Sequence, residues 1–222
     1  MENGIMEEKK IKNLLQFYLL VTELKDKIRS GWKVWNIDRE RVESVAEHVY
    51  GTCMLAISID SEYELDIDLY KVVMMLVLHE IEEVKIGDLT PFDKITEEEK
   101  RKLGKQAVED ILKTLNKKLQ YMELIEEFER METREAIFAK MCDKLEADIQ
   151  CKLYCEENAI NINNEKNTYL LKDSRIEKLV EDGAKSVSDL FIENDRPIYK
   201  EKIFEEIADF VKKNDLLKLK KE

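Results

Sequence analysis

The stretch from Lys71 to Asp93 constrains the fold more than any other part of the chain. It begins with an almost unbroken apolar run, Val72 to Leu78, which is typical of a buried helix and too short to cross a bilayer. Several side chains that can bind a metal or transfer a proton follow directly: His79, Glu80, Glu82, Glu83 and Asp88. The stretch therefore predicts a buried helix that ends in a functional site.

Glycine and proline are scarce, with 6 Gly and 2 Pro in 222 residues. Because these two residues interrupt helices, their scarcity beside so many Glu, Lys and Leu residues favours helices joined by short loops. Ser44 with Glu47, and Thr96 with Glu99, have the spacing of capping boxes and predict two helix starts. We expect an all-α bundle of about six to eight helices that forms a single domain over residues 1–222.

Apolar spacing predicts where several of these helices lie. The residues that recur at helical intervals near the N-terminus are Leu14, Leu15, Tyr18, Leu19, Val21, Leu24 and Ile28. They predict a first amphipathic helix over residues 9–28. A helix over about residues 66–86 would place His79 and Glu83, four residues apart, on one face. A further helix is expected over residues 174–192.

The charge balance limits the classes of partner. With 37 basic and 49 acidic residues the net charge is −12, which disfavours an extended nucleic-acid surface. A small anionic substrate is still compatible, because one metal ion and one arginine outweigh the average field locally. The chain begins with charged residues, has no apolar segment long enough for a signal peptide or a membrane span, and contains no CxxC pair. We expect a cytoplasmic protein with reduced thiols and no membrane partner.

The two histidines and one aspartate are the first candidates for a site. His48 and His79 both lie on inward-facing parts of predicted helices. Asp143 shares a helix face with Ala139 and Ala147, four residues before and after it, so its carboxylate should point inward and need a cation or several donors. Two structural interpretations stay open: His79 hydrogen-bonded in the core, and Asp143 in a buried salt bridge to Arg or Lys.

The sequence does not support the other metal-site and hydrolase motifs that we considered. The sequence HEIEE at 79–83 lacks the second histidine of the HExxH metalloprotease motif, and neither histidine follows a glutamate by three residues as in di-iron bundles. Cys151 and Cys155 are four residues apart, but no further Cys or His nearby completes a metal site. The GxSxG and GxxxxGK[ST] motifs are absent from the sequence, so serine hydrolases and P-loop NTPases are not indicated.

Three segments together resemble the HD-domain metal-dependent phosphohydrolases, and in particular the branch of 5′-deoxynucleotidases that act on nucleoside monophosphates. The segments are ESVAEHVY around His48, LVLHEIEEVKIGDLTP around His79 and CDKLEADIQCKLYCEE around Asp143. The resemblance covers about residues 10–160 and leaves residues 161–222 as additional C-terminal helices. It implies an HD-type helical bundle and an enzyme, a metal-dependent phosphoric monoester hydrolase.

The resemblance also implies individual roles. The metal ligands would be His48, His79, Glu80 and Asp143, and they would hold one divalent ion, which the family leaves open among Mn, Co, Fe, Mg and Zn. The catalytic residues would be Glu83, which relays protons from water, and Asp88, near the substrate. The substrate-binding residues would be Arg29, on the phosphate, and Trp32. The family's defining pair is His-Asp, whereas this chain has His79-Glu80, and the longer Glu reaches roughly an ångström further.

The expected function is therefore removal of phosphate from (deoxy)nucleoside 5′-monophosphates by metal-activated water. One alternative is an HD-type hydrolase of a nucleotide phosphodiester or pyrophosphate, whose extra phosphates need further cations. The candidates for those cations are Arg39, Arg41, Lys85 and Lys94. The other alternative, which the Glu80 departure supports, is a non-catalytic module that binds a metal or a nucleotide. The expected partner is a small phosphorylated substrate, and the resemblance makes a homodimer an open alternative to a monomer.

Overall fold

The computed structural model describes residues 2–90 and 92–221, and its helices confirm the predicted all-α class. In chain order the α-helices are α1 (Glu2–Val21), α2 (Ser30–Val34), α3 (Val45–Tyr63), α4 (Leu69–Leu78), α5 (Glu83–Ile86), α6 (Glu97–Leu112), α7 (Lys118–Arg130), α8 (Arg134–Glu156), α9 (Ser174–Glu181), α10 (Val187–Asp195), α11 (Lys202–Lys213) and α12 (Leu216–Leu219). Within the described ranges no strand forms, and one antiparallel bridge joins Ile28 to Ser44.

Both predicted capping boxes are confirmed. The Ser44 hydroxyl accepts a hydrogen bond from the Glu47 amide at 3.2 Å, and the Glu47 carboxylate accepts one from the Ser44 amide at 2.9 Å, so α3 begins at Val45. Thr96 and Glu99 form the same reciprocal pair at the start of α6. Each box satisfies amides that have no partner inside the helix, and a cap of this kind typically contributes about 1 kcal/mol.

The long helix α8 lies at the centre of the fold and packs against α3, α4, α7, α10 and α11. Phe138, Met141 and Leu145 on α8 are fully buried, and each large apolar side chain that leaves water contributes roughly 1.5–3 kcal/mol. Because neighbouring helices cover α8 on several sides, two of its carboxylates, Asp143 and Asp148, are buried as well. Asp143 is thereby carried into the interior, where α3 and the end of α4 meet α8.

The single helix predicted over residues 66–86 is wrong in one respect, because the structure divides it. Helix α4 ends one residue before His79, and residues 79–82 form a turn that leads into α5. The His79 ring donates a hydrogen bond from Nδ1 to the Leu76 carbonyl at 2.6 Å. This ring N–H takes the place of a helical amide donor at the helix end. His79 and Glu83 therefore do not share the face of one continuous helix.

Other interruptions raise the number of helices above the six to eight expected. The predicted helix over 174–192 is divided by Gly183, whose φ of +108° lies in a region that favours glycine, and Ser186 then caps α10. The first helix ends at Val21 and continues as a 3₁₀ turn, Thr22–Lys25. The chain thus uses several short helices where apolar spacing alone predicts fewer long ones.

Of the apolar residues that predicted the first helix, Leu24 is buried in the core and Val21 packs against it, but most of the others stay at the surface. Leu14, Leu15, Tyr18 and Leu19 remain between 47% and 63% exposed. Two neighbouring helices also leave apolar rows exposed, Tyr50, Met54 and Ile57 on α3, and Tyr70, Met74 and Val77 on α4. No helix in the described part of the chain combines the length and apolar character that a membrane span requires.

Candidate metal centre

Four side chains from three parts of the fold meet in one cluster. His48 comes from α3, His79 and Glu80 come from the turn after α4, and Asp143 comes from α8. One ligand atom from each lies within 4.8 Å of the others. Asp143 Oδ1 is 3.1 Å from His48 Nε2 and 3.6 Å from His79 Nε2, and Glu80 Oε1 is 3.5 Å from His79 Nε2. Ligands of one ion lie roughly 3 to 4.4 Å apart when their bonds are about 2.1 Å long. The structure therefore brings together the four predicted ligands with spacings that suit an ion.

The His79 ring gives an independent test of that fit. Its Nε2 atom is buried and has no hydrogen-bond partner among the described residues. Because Nδ1 donates its hydrogen to the Leu76 carbonyl, Nε2 is the ring nitrogen that faces the cluster, and a neutral ring would present its lone pair there. A buried nitrogen left without a partner costs about 1–3 kcal/mol. A cation would satisfy it, and a carbonyl behind the ring is a usual arrangement for a metal-binding histidine.

Each ring nitrogen of His48 contacts a carboxylate. Nε2 lies 3.1 Å from Asp143 Oδ1, and Nδ1 lies 2.5 Å from Glu146 Oε2. Burial and the positive charge of Arg29 lower the pKa of His48, but the hydrogen bonds to Asp143 and Glu146 outweigh them and raise it to about 9. Binding of a cation through Nε2 would displace the proton from that nitrogen. Glu146 was not singled out from the sequence, although its position three residues after Asp143 on one helix was an available signal.

The two carboxylates of the cluster are both held in their charged form. Burial opposes ionisation of Glu80, yet the neighbouring His79 and Arg29 lower its pKa to about 2. Burial likewise opposes ionisation of Asp143, and Lys144 and Lys140 hold its pKa well below the usual range. Asp143 Oδ2 forms ion pairs with the Nζ atoms of Lys144 at 3.5 Å and Lys140 at 3.0 Å, while Oδ1 faces the histidines. Asp143 therefore forms the buried salt bridge that the sequence left open and also directs its second oxygen toward the two histidines.

Glu83 and Asp88 both line a cavity that reaches this cluster. Glu83 is 6% exposed, and burial, followed by the charges of Glu80 and Asp88, raises its pKa to about 11. Its Oε2 atom has no hydrogen-bond partner within the described residues. Asp88 Oδ2 accepts the Ser30 amide at 2.6 Å and so ties the turn after α5 to the start of α2. Glu83 is thus a neutral carboxyl that carries a proton beside the cluster.

Arg29 and Trp32, the predicted substrate-binding residues, occupy different environments. Arg29 Nη1 donates to Glu80 Oε1 at 2.8 Å, so its guanidinium reaches the cluster directly. Trp32 also lines the cavity but is only 2% exposed. Its Nε1 donates to Glu43 Oε2 at 2.7 Å, and its ring stacks on Phe191 at 5.5 Å between centroids. Little of the Trp32 surface is available to a ligand.

The cavity has a volume of about 1000 Å³, enough for a nucleotide. Among the described residues that line it, none of the four cations proposed for extra phosphates appears. Arg41 instead pairs with Glu47, and Lys85 with Asp110, on the surface. The cations that do line the cavity, beyond those already described, are Lys100, Arg101, Lys105, Arg130 and Arg175. The four basic residues suggested from the sequence are therefore not the ones that line the cavity, because charge alone does not show which side chains face it.

Comparison with known proteins gives a consistent result. A sequence model described as HD domain matches residues 21–182. The protein named 5'-deoxynucleotidase HDDC2 from Dictyostelium discoideum is 34% identical over 151 residues, which cover 65% of this chain and 78% of that protein. The protein of the same name from Homo sapiens is 34% identical over 145 residues, covering 64% of this chain and 69% of that protein.

Solved structures show the same fold. A predicted metal-dependent phosphohydrolase from Magnetospirillum magnetotacticum MS-1 has a TM-score of 0.60 at 20% identity, over 92% of this chain and 95% of that chain. A conserved hypothetical protein from Pyrococcus furiosus has a TM-score of 0.57 at 26% identity, over 76% of this chain and 96% of that chain. The overall helical fold of this chain therefore recurs in other solved proteins.

Proposed function

Because the chain belongs to the HD domain family, we propose that this phosphohydrolase removes phosphate from deoxynucleoside 5′-monophosphates. The observation that carries the proposal is the buried set of two imidazoles and two carboxylates, with the unpartnered Nε2 of His79, reached by a nucleotide-sized cavity. Relatives that are about one third identical are named 5'-deoxynucleotidases, which supports this choice of substrate.

We propose that the ligands of one divalent ion are His48, His79, Glu80 and Asp143. Two imidazoles beside two carboxylates favour Mn, Fe, Co or Zn over Mg, which prefers oxygen ligands and water. When bound, such an ion supplies Lewis-acid chemistry toward a phosphate ester. Glu80 in place of the family's Asp fits this role, because its Oε1 lies 3.5 Å from His79 Nε2 and 3.8 Å from His48 Nε2. The longer side chain therefore reaches the cluster, which argues against a silenced, purely binding module.

The other residues would position the phosphate and move a proton. The Arg29 guanidinium, already 2.8 Å from Glu80, would bind phosphate oxygens in a bidentate manner. Glu83, which carries a proton beside the cluster, would give that proton to the 5′-oxygen that leaves and take one from the attacking water, so that ester and water give alcohol and phosphate. Asp88 would fix the start of α2, next to Arg29, through the Ser30 amide.

The test is phosphate release from deoxynucleoside monophosphates by purified protein supplied with Mn, Fe, Co, Zn or Mg in turn. We expect stoichiometric orthophosphate and nucleoside with at least one ion, and loss of both products in His79→Ala.

A second candidate, cleavage of a nucleotide pyrophosphate or phosphodiester, is favoured by the basic residues of α6, α7 and α9 that line the cavity. Its products would be a nucleotide with pyrophosphate or a second phosphorylated fragment. If no ion supports turnover of any of these substrates above the His79→Ala background, the enzymatic assignment fails.

We also propose that residues 1–222 work as one HD-type unit, because the C-terminal helices contribute to the same cavity. Ile176 and Leu179 of α9 and Leu190 and Phe191 of α10 line it together with Arg29. Helices α10, α11 and α12 all pack on α8, which carries Asp143. A single calorimetric unfolding transition is the expected signature, and two separable transitions would contradict it.

The exposed apolar rows on α1, α3 and α4 support a homodimer. The α1 row consists of large apolar side chains, Leu14, Leu15, Tyr18 and Leu19, that are exposed to water. Exposed apolar patches commonly mark protein interfaces. We expect light scattering to give twice the 26.3 kDa chain mass, and Leu15→Glu with Leu19→Glu to give the monomer mass. Exposed Leu103 on α6, changed to Glu, is the matched control and should leave the mass unchanged. A wild-type monomer at micromolar concentration would refute the dimer.

The cysteines support a location in a reducing compartment, which we propose to be the cytoplasm. Cys53, Cys142 and Cys151 are buried as free thiols. Fractionation of cells that express the tagged chain would show the compartment directly.

A further inference from the structure

A carboxylate lies directly behind His48, on the side of the ring that faces away from the cluster. Glu146 Oε2 is 2.5 Å from His48 Nδ1, while His48 Nε2 faces Asp143. The Glu146 side chain is only 13% exposed, so the contact is shielded from water. Both residues of this contact stand on long helices, α3 and α8, that pack against each other. The contact is therefore held by the core of the fold and does not depend on a loop.

The chain makes room for this carboxylate with one glycine. A Cβ atom added at Gly51 on α3 would lie 2.4 Å from Glu146 Oε1, 2.9 Å from its Cδ and 3.0 Å from its Cγ. Distances this short are not tolerated, so any larger residue at this position would push the Glu146 carboxyl away from His48. Glycine inside a helix destabilises it by roughly 0.5–1 kcal/mol relative to alanine. The space that Gly51 leaves is occupied by the Glu146 side chain.

A second carboxylate stands next to the first. An oxygen of Glu43, one of Glu146 and a ring nitrogen of His48 all lie within 4.8 Å of one another. The Glu43 carboxylate accepts Trp32 Nε1 at 2.7 Å, and its main chain accepts the Arg29 amide at 3.1 Å and donates to Tyr154 Oη at 2.9 Å. Glu43 is thereby fixed from three directions, and it connects the segment of Arg29 and Trp32 to the back of His48.

We propose that Glu146 is a positioning residue, which orients His48 and increases its basicity toward the ion, and that Gly51 is required because it leaves space for this carboxylate. The inference rests on the proposed metal-dependent function. A metal-binding histidine usually donates its other ring N–H to a carboxylate, a carbonyl or water, and loss of that partner typically reduces metal affinity by about 10–100-fold. In this chain the two histidines would use different partners, Glu146 for His48 and the Leu76 carbonyl for His79.

The experiment is a titration of metal-free protein with Co²⁺. Calorimetry measures the affinity and the number of ions bound, and visible absorption reports the geometry around the ion. Glu146→Gln removes the charge while keeping the shape, and Gly51→Ala displaces the carboxylate without changing it. The matched control is Gly104→Ala on α6, where an added Cβ would make only an ordinary 3.7 Å contact with Glu82. We expect about 10–100-fold weaker binding and an altered spectrum in the first two variants, and wild-type values in the control. The free energy of unfolding of each metal-free variant is measured in parallel, because a merely structural role would lower it without changing the spectrum.

The possible outcomes distinguish failure of the positioning role from failure of the proposed function. Wild-type affinity and spectrum in Glu146→Gln would overturn the positioning role while leaving the proposed function intact. Two equivalents of Co²⁺ in the wild type, one of them lost in Glu43→Gln, would also overturn it, because Glu43 and Glu146 would then be ligands of a second ion. Absence of any bound ion in the wild type would overturn both this inference and the proposed function. If Gly51→Ala fails to fold, Glu146→Gln alone decides.

Discussion

Replacement of His79 by alanine is expected to abolish stoichiometric binding of the divalent ion and to lower phosphate release by more than roughly 100-fold. Loss of an outer partner of a ligand already costs about 10–100-fold in affinity or activity, and loss of the ligand itself should cost more. The variant also removes the only buried nitrogen of the cluster that has no hydrogen-bond partner within the described residues. Elemental analysis of the purified protein and an orthophosphate assay measure the two effects.

Asp110→Asn provides the control for this experiment. Asp110 is a half-exposed carboxylate on α6 that pairs with Lys85 at 3.1 Å and does not line the cavity. Its neutralisation should change neither metal content nor rate, since exposed ion pairs contribute little. A His79→Ala protein that retains a full equivalent of tightly bound ion would show that the ion binds elsewhere, and the ligand assignment would have to be abandoned.

Replacement of Glu83 by glutamine is expected to reduce kcat by about 10²–10⁴-fold while metal affinity stays within a few fold of wild type, the range typical of a lost general acid or base. The physical reason is that Glu83 is a buried carboxyl whose pKa, raised to about 11 by burial and by Glu80 and Asp88, lets it hold a proton beside the cluster. Glutamine preserves its size but cannot exchange that proton. Rapid-quench measurement of one turnover, beside the Co²⁺ titration, distinguishes slow chemistry from lost metal.

The neighbouring Glu82 supplies a demanding control, because burial and the charge of Glu80 also raise its pKa, to about 7. Its side chain contacts the region of Gly104 on α6, where the Cγ atom would lie 3.7 Å from an added Cβ. Glu82→Gln should therefore have a much smaller effect on kcat than Glu83→Gln. Equal losses in the two variants would mean that the general field of the cavity, and not proton transfer by Glu83, accounts for the rate.

Local signals in the sequence predicted where helices begin. The boxes at Ser44 and Thr96 are complete within four residues, so no tertiary contact is needed to interpret them. The break at His79 could not be predicted in this way, because apolar residues continue at helical spacing through Ile81 and Val84. The break depends on a side chain that takes over a backbone hydrogen bond, and neither propensity nor periodicity reports that. Gly183 and the cap at Ser186 were local signals for the second break.

The candidate site was only partly predictable for a different reason. The composition of the stretch after Leu78 indicated that a site was there, but only the family resemblance connected it with His48 and Asp143. Those residues approach it through the packing of α3 and α8, which no local pattern encodes. Lys140 and Glu146 stand three residues before and after Asp143, so helical spacing placed them near it. Spacing did not show that one neutralises Asp143 while the other binds His48.

The origin of the proposed ligands in distant helices would link metal supply to the lifetime of the folded chain. His48 and Asp143 are 95 residues apart in sequence, so the unfolded chain has no preformed site and binds the ion far more weakly than the native state. An ion present at one hundred times its dissociation constant then adds about 2.7 kcal/mol to the free energy of unfolding. Metal depletion would therefore increase the unfolded population about one hundredfold and expose more of the chain to proteolysis, in addition to stopping turnover.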